Sequence, residues 1–457
     1  MNTLSQLDHK FVWHPFTQMR DWLRREPIVI VSGKGPVLRD VKGREYLDAN
    51  SSIWTNLHGH QHPKIGAAIS SQLRKIAHSS ALGFANEPAS SLAEKLVKIA
   101  PAKLNKVFFS DDGSTTLEVA LKLAYEFTRR TLKNSRPKFL SLDGAYHGDT
   151  VGAVSLGHID LFHKSFSSLL FKTDKVMSPY CYRCPFNRAK PERDDARNYR
   201  KCKNECVGLV EKKFHIQKKR GNPYAAFIFE PLIQGAAGMI PQPEDWLKQT
   251  TEIARSHGAL LVADEVMTGF GRTGKTFACQ RENVKPDFLC LAKGLTGGYL
   301  PMAATLTTQK IFNAFLGRYE DFKTFFHGHS FTGNQLGASA ALASLEILHD
   351  KKSVADRKRL ESDLADALQS LWDLPNVGDI RQIGLVAGIE LVKDWRTRRP
   401  FDLRERAGIR VCEAMAKRGV LTRPIGNVIV LMPPYCTTKA QVQKMIFTLR
   451  EAISEVF

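Results

Sequence analysis

At 457 residues the chain is too long for one simple hydrophobic core and is expected to form two closely joined domains. Its apolar and charged contents are those of an ordinary soluble globular protein, and it has no apolar run long enough to cross a bilayer. The net charge of +20 would suit a nucleic-acid partner, but lysine and arginine are spread along the whole chain. The densest run, "EKKFHIQKKR", also carries glutamate, which favours a basic soluble surface suited to anionic ligands. The N-terminus, "MNTLSQLDHKFVWHPF", lacks the basic start and apolar stretch of a secretory signal, so a cytoplasmic protein without a membrane partner is expected.

In chain order, apolar runs alternate with helical patterns. "NKVFFS" predicts a strand, and "TTLEVALKLAYEFTRR" a helix with Leu117, Ala120, Leu121 and Ala124 on one face. "PKFLSLD" and "AAFIFEP" predict two more strands, and "EDWLKQTTEIARSHG" a helix ending in glycine. "ALLVADE", "DFLCLA" and "MAATLTT" complete six. Strands that are apolar throughout and separated by helices indicate an α/β fold, its mainly parallel sheet covered on both faces. The last third differs: "SDLADALQSLWDL", "VGDIRQIGLVAGIELV", a helix, a short strand and "KAQVQKMIFTLREAISEVF" suggest a smaller α+β domain. The N-terminal segment is expected to join it.

Eight cysteines in so long a chain do not form a disulfide scaffold. Four of them cluster: Cys181 and Cys184 in "CYRC", then Cys202 and Cys206. The spacing is close to that of a structural zinc site, and equally compatible with a surface excursion bearing reduced thiols. Either way the stretch is expected to lie away from the chemistry.

In a parallel sheet the ligand site lies at the C-terminal ends of the strands. Asp264 ends "ALLVAD", Lys293 ends "FLCLAK", and Gly113 and Ser114 follow "VFFSDD" at a helix start. Singly, each has a plain explanation: a turn, a solvent-reaching lysine, a helix cap. Together they suit a phosphate-bearing aldehyde cofactor. The lysine forms a Schiff base, the carboxylate keeps the pyridine nitrogen protonated, and the helix start holds the phosphate. Tyr146, in "GAYHGDT", offers a ring to lie on the cofactor face.

The passages "DDGSTTLEVALKLA", "YHGDT", "EPLIQGAAG", "VADEVMTGFGRTGKTFAC", "LAKGLTGG" and "HGHSFTGNQLG" resemble those of the class III aminotransferases, which use pyridoxal 5'-phosphate. The resemblance runs from about residue 10 to the end. It implies the fold type I architecture: a large domain with a mainly parallel seven-stranded sheet, a smaller α+β domain, and a homodimer with shared active sites. The corresponding division here is 1–65 (N-terminal segment, contributing to the small domain and the site), 66–335 (large domain) and 336–457 (small domain). Within the family, "WHPFTQM", "SSIWTNLHGHQHP", "FFHGHSFTGNQ" and "LTRPIGNVIVLMPPY" are most similar to the diaminopelargonic acid aminotransferases of biotin synthesis. Those enzymes convert 8-amino-7-oxononanoate to 7,8-diaminononanoate with S-adenosylmethionine or, in a subgroup, lysine as amino donor.

Carried onto this sequence, the resemblance implies that Lys293 binds the cofactor and shuttles the proton, while Asp264 pairs with the ring nitrogen. Tyr146 would stack on the ring, and Gly113 and Ser114 would hold the phosphate. Gly328 and Ser330 would make a second phosphate contact from a partner subunit, with Gly328 also bordering the substrate. Arg423 would bind the substrate carboxylate, with Trp54, Tyr146, Phe16 and Ile53 lining the pocket. Asp149 and Arg272 would form a polar group behind the first contacts, and His147 would bond on the cofactor side or simply pack. Two positions depart from the adenosylmethionine-using pattern. Phe16 stands where a tyrosine is usual, and Ile53 precedes Trp54 where two tryptophans are usual. Both resemble the lysine-using subgroup, although adenosylmethionine remains the expected donor. Another class III activity, on ornithine, 4-aminobutyrate or a diamine, is the enzymatic alternative. A basic, metal-clamped nucleic-acid-binding protein is the non-enzymatic one, and it leaves Lys293, Asp264 and Tyr146 unexplained.

Overall fold

The computed structural model describes residues 3–101, 103–132, 134 and 136–457. Its centre is a sheet of seven strands: β1 (Leu104–Ser110), β2 (Lys138–Leu142), β3 (Asp174–Val176), β4 (Tyr224–Phe229), β5 (Leu260–Asp264), β6 (Phe288–Leu291) and β7 (Ala303–Thr308), in the order β1-β7-β6-β5-β4-β2-β3. The expected strands are present. The seventh, β3, is three residues long, too short for an apolar run to announce it.

Strands β2 to β6 run parallel, whereas β7 is antiparallel to both β6 and β1. The connection from β6 to β7 carries only the 3-10 turn Lys293–Thr296. It is too short for the helical crossover that a parallel neighbour needs. Strands β4 and β6 are buried along their whole length because both faces are covered. Val262 of β5 faces a core shared with Leu117, Ala120, Leu121 and Ala124 of the Gly113–Leu132 helix. Leu261 and Ala263 face the opposite core, with Phe214 and Trp246 from the other helical layer. Each fully buried leucine on the Gly113–Leu132 face contributes about 1.5–3 kcal/mol by leaving water.

In the C-terminal third, β8 (Val377–Ile383) and β9 (Val386–Asp394) form a hairpin, with Pro424–Ile425 and β10 (Val428–Leu431) extending the sheet beyond β9. Near the N-terminus, Ile30–Lys34, Val37–Asp40 and Glu45–Asp48 form an antiparallel meander. Its last strand pairs in parallel with Val420–Leu421, joining the two ends of the chain. No helix among the described residues is long and apolar enough to cross a membrane.

Candidate active site

The register of the central sheet builds the site. Ala263 pairs with Phe229 and Asp264 with Cys290. Glu230, the first residue past β4, and Asp264, the last of β5, therefore lie close together, and Lys293 follows just beyond the end of β6. Asp264 is 6% exposed and accepts a hydrogen bond from His147 Nδ1 at 2.7 Å through Oδ2. Its Oδ1 accepts from the Val266 N–H at 3.1 Å. A carboxylate has about four acceptor positions, so capacity remains for a ring nitrogen in the chamber. Burial alone would depress the His147 pKa, but the bond to Asp264 and that carboxylate's charge outweigh it and raise it. His147 is thus bonded to Asp264 and is not mere packing.

The Lys293 amine is displaced downward, chiefly by burial and further by Arg272, against the opposing pull of Asp264 and Glu230. A lowered pKa makes the neutral, nucleophilic amine accessible. The Lys293 Nζ lies 4.7 Å from the centroid of the Trp54 ring. Burial pushes Glu230 up to about 7, although its oxygens accept bonds from the N–H groups of Tyr146 (3.3 Å) and Gly235 (2.7 Å). Glu230 was not singled out from sequence. Its signal was the one that marked Asp264, an acid closing a wholly apolar strand.

Gly113 and Ser114 open the Gly113–Leu132 helix, where first-turn N–H groups have no intrahelical acceptor and the helix dipole favours an anion. The space there is fitted. A Cβ on Gly113 would lie 2.8 Å from Val266 Cγ1, and Gly148 (φ +122°) brings its backbone against Ser114. The Asp149 N–H donates to Ser114 Oγ at 3.0 Å, and the Tyr146 hydroxyl donates to Asp149 Oδ2 at 2.6 Å. Gly113, Ser114, Tyr146 and Gly148, with Trp54, Asp264 and Lys293, enclose a chamber of about 160 Å³. The buried His147 Nε2 and Trp54 Nε1 have no hydrogen-bond partner among the described residues. An anion-binding helix start, a carboxylate, a lysine and unmatched donors together fit pyridoxal 5'-phosphate.

Trp54 is delivered by an unusual backbone. Ser51, Ser52, Ile53 and Trp54 have φ of 47°, 48°, 62° and 69°, one turn of left-handed helix without a glycine. Such conformations cost about 1–2 kcal/mol per residue for L-amino acids. Strain of this kind persists only where surrounding bonds over-determine it.

The chamber opens past Trp54, Tyr146, Ala236 and Lys293 into a cavity of about 1380 Å³. Phe16, Ile53 and Arg423 line it. Phe16 packs edge-on against Phe162, with ring centroids 5.2 Å apart. Arg423 makes no ion pair among the described residues, whereas Arg406 and Arg183 in the same wall pair with Asp21 and Glu390. Gly328 and Ser330 are exposed and line neither space. Asp149 and Arg272 form no bond with each other. Asp149 serves Tyr146, while the buried Arg272 donates to the carbonyls of Asn56 and Pro433.

The cysteine-bearing stretch is not peripheral. Ser178, Tyr180, Arg183 and Cys184 form part of the large cavity's wall. The stretch is held there by Glu390 of β9, which pairs with Arg183 at 2.6 Å and accepts from the Tyr180 hydroxyl. Cys181 and Cys206 are buried, Cys184 and Cys202 half-buried, and all four are free thiols. Among the described residues no group of three or more His, Cys, Asp or Glu side chains is arranged to hold a metal ion.

Lysine, carboxylate and phosphate cradle at the ends of a mainly parallel sheet define a pyridoxal-phosphate-dependent enzyme. The family model for "Aminotransferase class-III" matches residues 19–453, and the chain belongs to that family. It is 48% identical over 456 residues to an adenosylmethionine-8-amino-7-oxononanoate aminotransferase of Nitratidesulfovibrio vulgaris, covering 99% of this chain and 82% of that one. It is 46% identical over 454 residues to the protein of the same name in Geobacter sulfurreducens, covering 99% and 98%. Among solved structures, that of the adenosylmethionine-8-amino-7-oxononanoate aminotransferase of Methanocaldococcus jannaschii superposes with a TM-score of 0.91 at 42% identity, covering 99% of each chain. An omega transaminase of Pseudomonas jessenii in complex with PMP superposes with a TM-score of 0.91 at 27% identity, covering 100% of this chain and 98% of that one.

Proposed function

We propose that this chain transfers an amino group to 8-amino-7-oxononanoate, giving 7,8-diaminononanoate in biotin synthesis, with S-adenosylmethionine as the donor. The observation that carries this reading is the Arg423 guanidinium, without an ion pair among the described residues, in a cavity walled partly by Phe16 and Ile53 that reaches Lys293. An apolar chain ending in a carboxylate suits such a space, because arginine's planar fork matches a carboxylate. The names of full-length relatives at 40–48% identity support the same substrate and donor.

When bound, pyridoxal 5'-phosphate supplies an electron sink for the pair left by removal of the donor's α-proton. In our reading Gly113 and Ser114 hold its phosphate and Tyr146 covers its ring, while Asp264, steadied by His147, holds a proton on the ring nitrogen. Lys293 would hold the cofactor, and its neutral amine would take the donor's α-proton as the base. Arg423 fixes the acceptor's carboxylate, and Trp54, Phe16 and Ile53 border both substrates. Gly328 and Ser330 would serve a neighbouring subunit's phosphate site in a homodimer. The pairing of Glu45–Asp48 with Val420–Leu421 supports the N-terminal segment's joining the small domain, within a division at residues 65 and 335. The enzyme works in the cytoplasm, with no nucleic-acid or membrane partner.

Lysine is the second donor reading, favoured by the missing hydroxyl at Phe16 and the single indole at Trp54. With 8-amino-7-oxononanoate as acceptor, adenosylmethionine is expected to outpace lysine by at least about ten-fold, the low end of what apolar pocket differences provide. Lysine outpacing adenosylmethionine would reverse the donor. Turnover with neither would point to another class III activity.

A further inference from the structure

We propose that Asp48 is a positioning residue that sets the substrate-facing geometry of Ile53 and Trp54 by clamping the left-handed turn that carries them. The proposal rests on reading the large cavity as the substrate site. Asp48 ends its strand with 3% exposure and lines neither the chamber nor the cavity. Both carboxylate oxygens are nevertheless spent on the turn and its surroundings. Oδ1 accepts from the N–H groups of Asn50 (3.3 Å) and Ser52 (3.0 Å). Oδ2 accepts from the Ser52 hydroxyl (2.8 Å) and from His60 Nε2 (3.2 Å).

The turn has a second anchor. Ser51 Oγ donates to the Met432 carbonyl at 2.6 Å, and the Met432 N–H donates to Ala49 O at 2.8 Å. The Ser51 carbonyl in turn accepts from the N–H groups of Thr55 and Asn56. Four successive left-handed L-residues do not hold themselves, so these bonds do it. Two of Asp48's four bonds go to Ser52, directly before the residue at the cavity wall and the tryptophan beside the Lys293 amine. Loss of the clamp lets the turn relax toward ordinary φ, which swings both side chains out of place.

The test is made on the holoenzyme of Asp48→Ala, with Asp48→Asn as the milder variant should alanine fail to fold. Asp48→Ala is expected to lower kcat/KM for the keto-acid acceptor by about 10²-fold, the effect of misplacing a substrate-facing group by an ångström. The pH midpoint of the bound cofactor's visible absorption is expected to fall by about half a unit as the Trp54 face leaves the Lys293 nitrogen. Adding Ser52→Gly is expected to restore most of both effects, because glycine adopts positive φ without strain and no longer needs the clamp. A folded Asp48→Ala or Asp48→Asn enzyme with wild-type midpoint and kcat/KM, whatever its Tm, overturns the proposal. So does a folded double variant without rescue. The midpoint needs no substrate, so it tests the clamp even where 8-amino-7-oxononanoate proves not to be the acceptor.

Discussion

Lys293→Ala is expected to lower turnover by about 10⁴-fold or more and to leave no cofactor linkage to the chain that borohydride can fix. The size follows from losing two roles at once, covalent attachment and the general base, the latter alone contributing about 10²–10⁴-fold. Lys293 stands just past β6 in a turn with φ +44°, beside Asp264 and Glu230 at the edges of the neighbouring strands. No other lysine lines the chamber, so none is placed to substitute. Mass spectrometry of the peptide containing position 293, after reduction, checks the linkage. A reducible linkage persisting in the alanine variant would move the catalytic lysine elsewhere.

Asp264→Asn has the second largest expected effect, a loss of about 10²–10⁴-fold in kcat. That range is what a positioned group that controls a proton in the reaction typically contributes. The amide cannot hold a proton on the ring nitrogen by charge, and it leaves His147 without its anionic partner. A cofactor analogue methylated at that nitrogen carries the charge permanently and is expected to recover part of the lost rate. A structural role alone predicts no recovery. There is also a pH signature in the apoenzyme. The His147 pKa is raised in the folded protein, so its pairing with Asp264 stabilises fully below the ordinary histidine value. That stabilisation fades as the pH climbs through the elevated value. Across this window the Tm of the asparagine variant is expected to fall less than that of the wild type.

The central sheet and its chemistry were readable because the signals are local. An apolar run of four to seven residues closed by Asp264, or leading to Lys293, declares a buried strand with something at its end. Strand direction is not local: "MAATLTT" reads like its neighbours, and only the short β6–β7 connection makes β7 antiparallel. The cysteine stretch was misplaced for a related reason. What holds it at the cavity is Arg183 reaching Glu390, a contact between distant parts of the chain that no pattern in either segment announces. The left-handed turn was invisible as well, since Ser51 to Trp54 contain no glycine to mark positive φ. Gly328 and Ser330 line neither space within this chain, which is what a contribution to a neighbouring subunit's site requires.

The turn at Ser51–Trp54 has a consequence for how such an enzyme changes its choice of donor. Its shape is held by Asp48, Ser51 and Met432, and the Ile53 side chain contributes no hydrogen bond to it. A β-branched isoleucine is among the residues most strained at a φ of 62°, so an unbranched replacement at position 53 adds little folding cost while the catalytic lysine stays where it is. Donor preference can therefore drift independently of the reaction itself, one side chain at a time, on a backbone that does not need to be redesigned.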